Sequence, residues 1–207
     1  MLISRRTFSA LGLAAAAAPA LPMTAAAKIV DTETAMTELV LGNEDAPVEV
    51  IEYASLACPA CKHFHDNVFP VIKSDYIDTG KIRFVYRDFP TNTPALAAAM
   101  IARCAGPERH KGMIDIFFDT QAQWGRSENP LQALTMVARM AGLGPKEVDE
   151  CVRNSALMNG IQKKAQTAHE DMGVNATPTL IVAGEIVEDA MEVDKLKAAI
   201  DKALKGH

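Results

Sequence analysis

Apolar and polar positions change period several times along the chain, and each change marks an element. "VEVIEY" (48–53) alternates with a period of two and is rich in β-branched residues, which predicts a strand. A helix is expected to start at Pro59, because proline suits the first helical position and would break an interior one. Phe64, Val68, Val71 and Ile72 fall on one side of that helix, and Pro70 is expected to kink it. "KIRFVYRDF" (81–89) reads as the next strand. Strand, helix, strand in this order favours a parallel pair joined by a right-handed crossover. Ahead of it, residues 28–47 form a short lead-in, with an edge strand expected at Glu38–Leu41 and a turn through Gly42-Asn43-Glu44-Asp45.

After the second strand the period becomes helical. "PALAAAMIARCAG" places Leu96, Met100 and Cys104 at four-residue spacing, and "HKGMIDIFFDTQAQW" supplies Ile114, Phe117 and Phe118. Pro130 and Pro145 sit where helices begin, and Gly142 and Gly173 where helices end. The pattern then returns to strand in "PTLIV", turns at Gly184-Glu185, continues in "IV", and closes on an amphipathic helix through Val193, Leu196, Ile200 and Leu204. The expected organisation is α/β: a first part at 48–92, an inserted helical subdomain at 93–173 and a second part at 174–207.

The chain of 207 residues is long enough for one well-buried domain, and its 49% hydrophobic and 23% charged residues are those of an ordinary globular protein. A net charge of −5 argues against nucleic acid as a partner. The first 27 residues change the picture. They hold a basic start (Arg5, Arg6), an Ala/Leu-rich run interrupted by Pro19 and Pro22, and small residues before Lys28. This is the form of an export signal cleaved near Ala27, too short and broken to span a bilayer comfortably. Ser4-Arg5-Arg6-Thr7-Phe8 matches the twin-arginine motif, the alternative being two arginines that serve a general signal. Those arginines are the only charged residues among the first 27, so their removal takes the net charge from −5 to −7. Export places cysteines in an oxidising compartment, where they are used as disulfides.

Candidate chemistry sits in "YASLACPACKHFHD" (53–66), where Cys58 and Cys61 are followed by His63 and His65. Three readings compete: a metal site, a static disulfide and a redox pair. Four local ligands could hold zinc, but a helix starting at Pro59 spreads them over different faces, leaving both histidines as solvated helix residues. Cys104 and Cys151 are too far away in sequence to form a second close pair. A redox pair fits better. Cys58 at a helix N-terminus meets unsatisfied N–H groups that favour a thiolate, whereas Cys61, one turn inside, is expected to be buried and to resolve mixed disulfides. Strand alternation puts Val48, Val50 and Glu52 on one face, so the Glu52 carboxyl follows two apolar residues and could exchange protons with Cys61; the alternative is a surface acid at the sheet edge.

Across residues 38–205 the chain resembles the DsbA-type thiol–disulfide oxidoreductases of the thioredoxin superfamily, most nearly their short alphaproteobacterial-type branch. The resemblance rests on Cys58-Pro59-Ala60-Cys61, the inserted helical region, Thr177-Pro178 just before a strand, and Glu52 six residues before Cys58. The Pro-Ala dipeptide between the cysteines departs from the commoner Pro-His or Pro-Tyr. The resemblance implies a thioredoxin-like fold, a buried acid at Glu52, and a cis Thr177–Pro178 bond beside the cysteines that presents backbone to a substrate peptide. It further implies a periplasmic, monomeric enzyme without a cofactor that gives its Cys58–Cys61 disulfide to reduced exported polypeptides. A DsbB-like membrane quinone reductase would then reoxidise it. Disulfide isomerases or reductases are the nearest rivals, and residues 28–47 are too short for the dimerisation domain such relatives carry. A metal-binding or client-holding protein using the same cysteines is the rival from another class.

Cys104 and Cys151 each lie in an apolar helical stretch, as two buried thiols or as a structural disulfide. Export favours the disulfide.

The export motif generates the first prediction. Replacing Arg5 and Arg6 with lysine traps precursor in the cytoplasm, read as loss of the processed form by immunoblot. Undiminished processing would show that the general secretory route is used.

Overall fold

The computed structural model describes residues 28–206, so the expected export signal lies outside the described residues. The chain runs α1 (Thr32–Ala35), β1 (Leu39–Gly42), β2 (Val48–Ala54), α2 (Pro59–His63), α3 (Phe69–Ile72) and β3 (Ile82–Asp88). Six helices follow: α4 (Thr93–Cys104), α5 (Pro107–Asp119), α6 (Gln121–Trp124), α7 (Pro130–Met140), α8 (Pro145–Arg153) and α9 (Ser155–Met172). The chain ends in β4 (Thr179–Val182), β5 (Glu185–Ile186) and α10 (Val193–Leu204).

One mixed sheet has the order β1-β3-β2-β4-β5. β2 and β3 are parallel, while β1 on β3, β4 on β2 and β5 on β4 are antiparallel. Alternation in β2 and β3 feeds two apolar layers, as a sheet covered on both faces requires. Val48, Val50, Ile82 and Phe84 pack with Phe64, Ile72, Leu196 and Ile200 on one face. Ile51, Tyr53 and Val85 pack with Ala168 and Val174 on the other. A third cluster fills the inserted helices, with Ala98, Ile101, Phe117, Trp124 and Leu134 fully buried. Among the described residues no helix is long and apolar enough to cross a membrane.

Local chemistry explains the helix boundaries. Asn92, Asn129 and Asn154 each accept from a backbone N–H three residues on, at 2.9, 3.2 and 3.0 Å, which satisfies a donor that the first helical turn leaves free. Gly173, at φ 70°, ends α9 in the left-handed conformation.

The edge strand is Leu39–Gly42, one residue later than expected. The hairpin turn is Ala183-Gly184 instead of Gly184-Glu185: both residues have positive φ (48° and 86°), and Glu185 already pairs with Val182. Such a two-residue turn matches the twist of its strands. Pro70 is accommodated by changes of winding, since the segment 59–77 contains two π-helical stretches, Phe64–Val68 and Lys73–Ile77. The Phe69 N–H donates to Phe64 O, five residues back. This wider turn precedes Pro70, which has no N–H to give and crowds the turn before it.

Cys104 at the end of α4 and Cys151 in α8 are joined by a disulfide, with Cα atoms 6.1 Å apart and a sequence separation of 47. Closing such a loop is worth about 4 kcal/mol in the chain-entropy model. Peptide mapping of the unreduced protein therefore yields a Cys104–Cys151 linked pair, and Cys104→Ala/Cys151→Ala lowers the urea midpoint by an amount equivalent to about 2–4 kcal/mol. Free alkylation of both thiols in the unfolded, unreduced chain would contradict this.

Candidate active site

β2 carries the chain to a short loop, Ser55–Ala57, and Cys58 then takes an extended conformation (φ −82°, ψ 121°) as the cap of α2, with Pro59 behind it. Cys58 is half-buried, whereas Cys61, one turn on, is fully buried with its sulfur 3.5 Å from the Ser55 N–H. The two thiols are unbonded in this structure. The Thr177–Pro178 peptide bond is cis, and the Cys58 thiol donates to Thr177 O at 3.2 Å. Thr177 and Pro178 therefore border Cys58, although Thr177 lies 119 positions further along the chain.

The two sulfurs differ sharply. The Cys61 thiol donating to the Cys58 sulfur is the largest cause that brings Cys58 down to about 5. Burial opposes it, and the Thr177 side chain and the N–H groups of Cys61 and Ala60 add to it. The contact with Thr177 O works the other way, because a carbonyl oxygen accepts from a thiol and not from a thiolate. Burial pushes the Cys61 thiol far up, and its bond to Cys58 and the nearby Glu52 carboxyl reinforce this.

Glu52 lies beneath this pair. It is 4% exposed, so the reading as a surface acid is excluded, and its Oε1 has no hydrogen-bond partner among the described residues. Burial raises its carboxyl to about 8; Lys111 pulls the other way, and the charge of Cys58 adds to the rise.

His63 is exposed, as expected of a solvated helix residue. His65 is not solvated: it is half-buried, packs against the rings of Phe69 and Phe118, and places Nε2 3.1 Å from Asp115 Oδ1. The reason is that α5 of the insertion lies across this face. Burial raises the Asp115 carboxyl, but His65 and Lys111 more than offset it and hold it below the usual range. Among the described residues no three His, Cys, Asp or Glu side chains come together as a metal site.

Several residues around the cysteines escaped the sequence reading. Gln121 Nε2 donates to Leu56 O at 2.7 Å and to Cys58 O at 3.0 Å, tying the insertion to the loop that carries Cys58. Ser55 Oγ and Thr91 Oγ1 are 2.9 Å apart. Tyr86, opposite Glu52 in the β2–β3 register, and Asp88, ion-paired with Arg103, are buried on the same side. No local motif marks Gln121; for Tyr86 and Asp88 the alternation of β3 was the available signal.

The family model described as "Thioredoxin" matches residues 34–202. The crystal structure of Wolbachia pipientis alpha-DsbA1 superposes with a TM-score of 0.75 at 29% identity, covering 83% of this chain and 92% of that one. That of oxidised BdbD from Bacillus subtilis gives 0.71 at 25% identity, covering 88% and 99%. A Rickettsia bellii protein, provisionally named a protein-disulfide oxidoreductase, is 31% identical over 169 residues, which are 81% of this chain but 65% of that longer relative. The family match over most of the chain establishes that it belongs to the thioredoxin family, and its fold is similar to those of alpha-DsbA1 and BdbD.

Proposed function

We propose that this protein is a periplasmic dithiol oxidase that donates a Cys58–Cys61 disulfide to newly exported polypeptides. The observation that carries the reading is the asymmetry of the two thiols: Cys58 is reachable and acidic, while Cys61 is buried and holds its proton. A sulfur of low proton affinity is a good leaving group and is stable as a thiolate, so a disulfide that contains it is readily given up.

A substrate thiolate attacks Cys58 Sγ, the bond to Cys61 breaks, and Cys61 departs with the electron pair. Glu52, neutral at pH 7, supplies the proton that Cys61 then holds. A second substrate thiolate attacks the substrate sulfur of the mixed disulfide, which frees Cys58 as a thiolate and leaves the substrate oxidised. Thr177 and Pro178, beside Cys58, form the edge along which an extended substrate peptide docks. In this reading the export signal is removed near Ala27, the protein works as a monomer, and a DsbB-like membrane quinone reductase restores the disulfide.

The roles are tested by trapping. Cys58→Ser abolishes oxidation of a reduced, unfolded substrate protein, whereas Cys61→Ser, with glutathione disulfide supplied as the oxidant, accumulates a mixed disulfide with substrate at Cys58, seen by mass spectrometry. Mixed disulfides that form at Cys61 in the Cys58→Ser variant would reverse the assignment.

Linkage gives a second test. A thiol lowered to about 5, against about 8.5 in the unfolded chain, stabilises the reduced protein. That stability is fully present above the unfolded value and is lost as pH falls through the folded one. The disulfide form has no such term. In a Cys104→Ala/Cys151→Ala background, the reduced protein is predicted to melt higher than the oxidised one at pH 7, with the gap closing toward pH 5. An oxidised form that melts higher throughout would favour a reductase.

A further inference from the structure

Four buried side-chain atoms near the cysteines lack a hydrogen-bond partner among the described residues: Glu52 Oε1, Tyr86 Oη, Asp88 Oδ1 and His110 Nε2. They are not scattered. Glu52 stands opposite Tyr86, and Ala54 opposite Asp88, in the parallel β2–β3 register, so these side chains share one face of the sheet. Tyr86 packs in the same cluster as Cys61 and meets the His110 ring edge to face, with centroids 6.4 Å apart. Arg103 Nε donates to Asp88 Oδ2 and its Nη1 to Ala35 O and Thr37 O, and Asp88 Oδ1 receives no hydrogen bond among the described residues. Buried polar atoms left in this way are ordinarily satisfied by ordered water that bonds several of them at once.

We propose that the Tyr86 hydroxyl and the His110 imidazole extend the proton path beyond Glu52, joined by ordered water held among these four atoms. The proposal rests on the oxidase reading, in which Glu52 protonates Cys61. Once it has done so, the Glu52 carboxylate accepts a hydrogen bond from ordered water that also bonds the Tyr86 hydroxyl. That water gives a proton to Glu52 and takes the Tyr86 proton, Tyr86 takes one from water bound at His110, and that water is replenished from solvent. The net change is one proton from solvent to Cys61.

The charges nearby suit neutral relays. Burial, together with Asp88, Glu52 and Cys61 and against Arg103, holds the Tyr86 phenol well above its usual value. Burial brings His110 down to about 4, with Asp88 opposing and Arg103 assisting. Glu52 itself faces Lys111, Cys58 and Cys61 besides Tyr86.

The test reads Glu52 directly, by infrared titration of its carboxyl in the oxidised mature protein with Glu52→Gln as the blank. Tyr86→Phe removes a donor to the water that bonds the carboxylate and raises the midpoint by up to about one pH unit. His110→Gln keeps a polar amide in the chamber and provides an independent variant. It leaves that midpoint in place and slows reaction with a cysteine-containing peptide severalfold, and the slowing disappears in a Glu52→Gln background. A midpoint unmoved by Tyr86→Phe, or slowing that persists without Glu52, overturns the proposal. If the midpoint moves while even the wild-type protein fails to oxidise the peptide, the proton link stands and the oxidase reading falls.

Discussion

A carboxyl group buried near the end of β2, with one oxygen lacking a protein partner, sets the terms for everything around it. Ionising Glu52 there costs the loss of water around a charge, and Lys111, the one nearby cation that opposes the shift, does not offset the cost. The acid therefore keeps its proton at neutral pH. Directly above it the chain must turn from strand to helix within four residues, Ser55–Cys58, and that turn separates one half-buried sulfur from one fully buried sulfur. Strand alternation, the helix start at Pro59 and the Glu52 side chain all converge on this turn.

The inserted helices complete the site. Gln121 at the start of α6 holds two carbonyls of the Ser55–Cys58 turn, and α5 brings His110, Lys111 and Asp115 over the same face of the sheet. Neither helix could hold these positions alone. The pairing of Cys104 with Cys151, and a cluster that includes Phe117, Phe118, Trp124 and Leu134, fix them relative to α4, whose Arg103 reaches back to Asp88 of β3. A buried pair such as Asp88–Arg103 is a weak source of stability, because desolvation consumes much of the attraction. Its consequence here is positional, since it ties the insertion to the sheet beside Tyr86.

Much of this was legible in the sequence because it is local. The alternation of "VEVIEY" located β2 and the face of Glu52, and Pro59 located the start of α2 and so the unequal depths of Cys58 and Cys61. The position of Thr177-Pro178 beside Cys58 came from family resemblance, since no spacing rule reports a contact across 119 residues. What stayed hidden depends on packing between distant segments. His65 reads as solvated until α5 is laid across it, and Gln121 is an unremarkable polar residue until its amide meets the Ser55–Cys58 turn. The Ala183-Gly184 turn was misplaced by one residue because glycine drew the prediction, whereas the tight hairpin requires positive φ at alanine too.

The thiolate and the buried acid are also coupled to each other. The charge on Cys58 is among the causes that raise Glu52, so the acid holds its proton more tightly when the pair is reduced than when Cys58 is tied up in a disulfide. Between about 5 and about 8 the reduced site carries one negative charge at its surface and one stored proton beneath it. In that interval reduction of a Cys58–Cys61 disulfide would take up one proton at Cys61, since Cys58 stays ionised, and toward its upper end part of a second at Glu52, which holds its proton less tightly in the oxidised form. Below it, Cys58 takes up a second. Above it, Glu52 ionises under an existing thiolate, and two like charges then share a site with little water to screen them. The depth of Glu52 and the exposure of Cys58 thus fix together the pH range in which the reduced site keeps a thiolate at its surface and an uncharged acid in the core, the condition the proposed proton transfer to Cys61 requires.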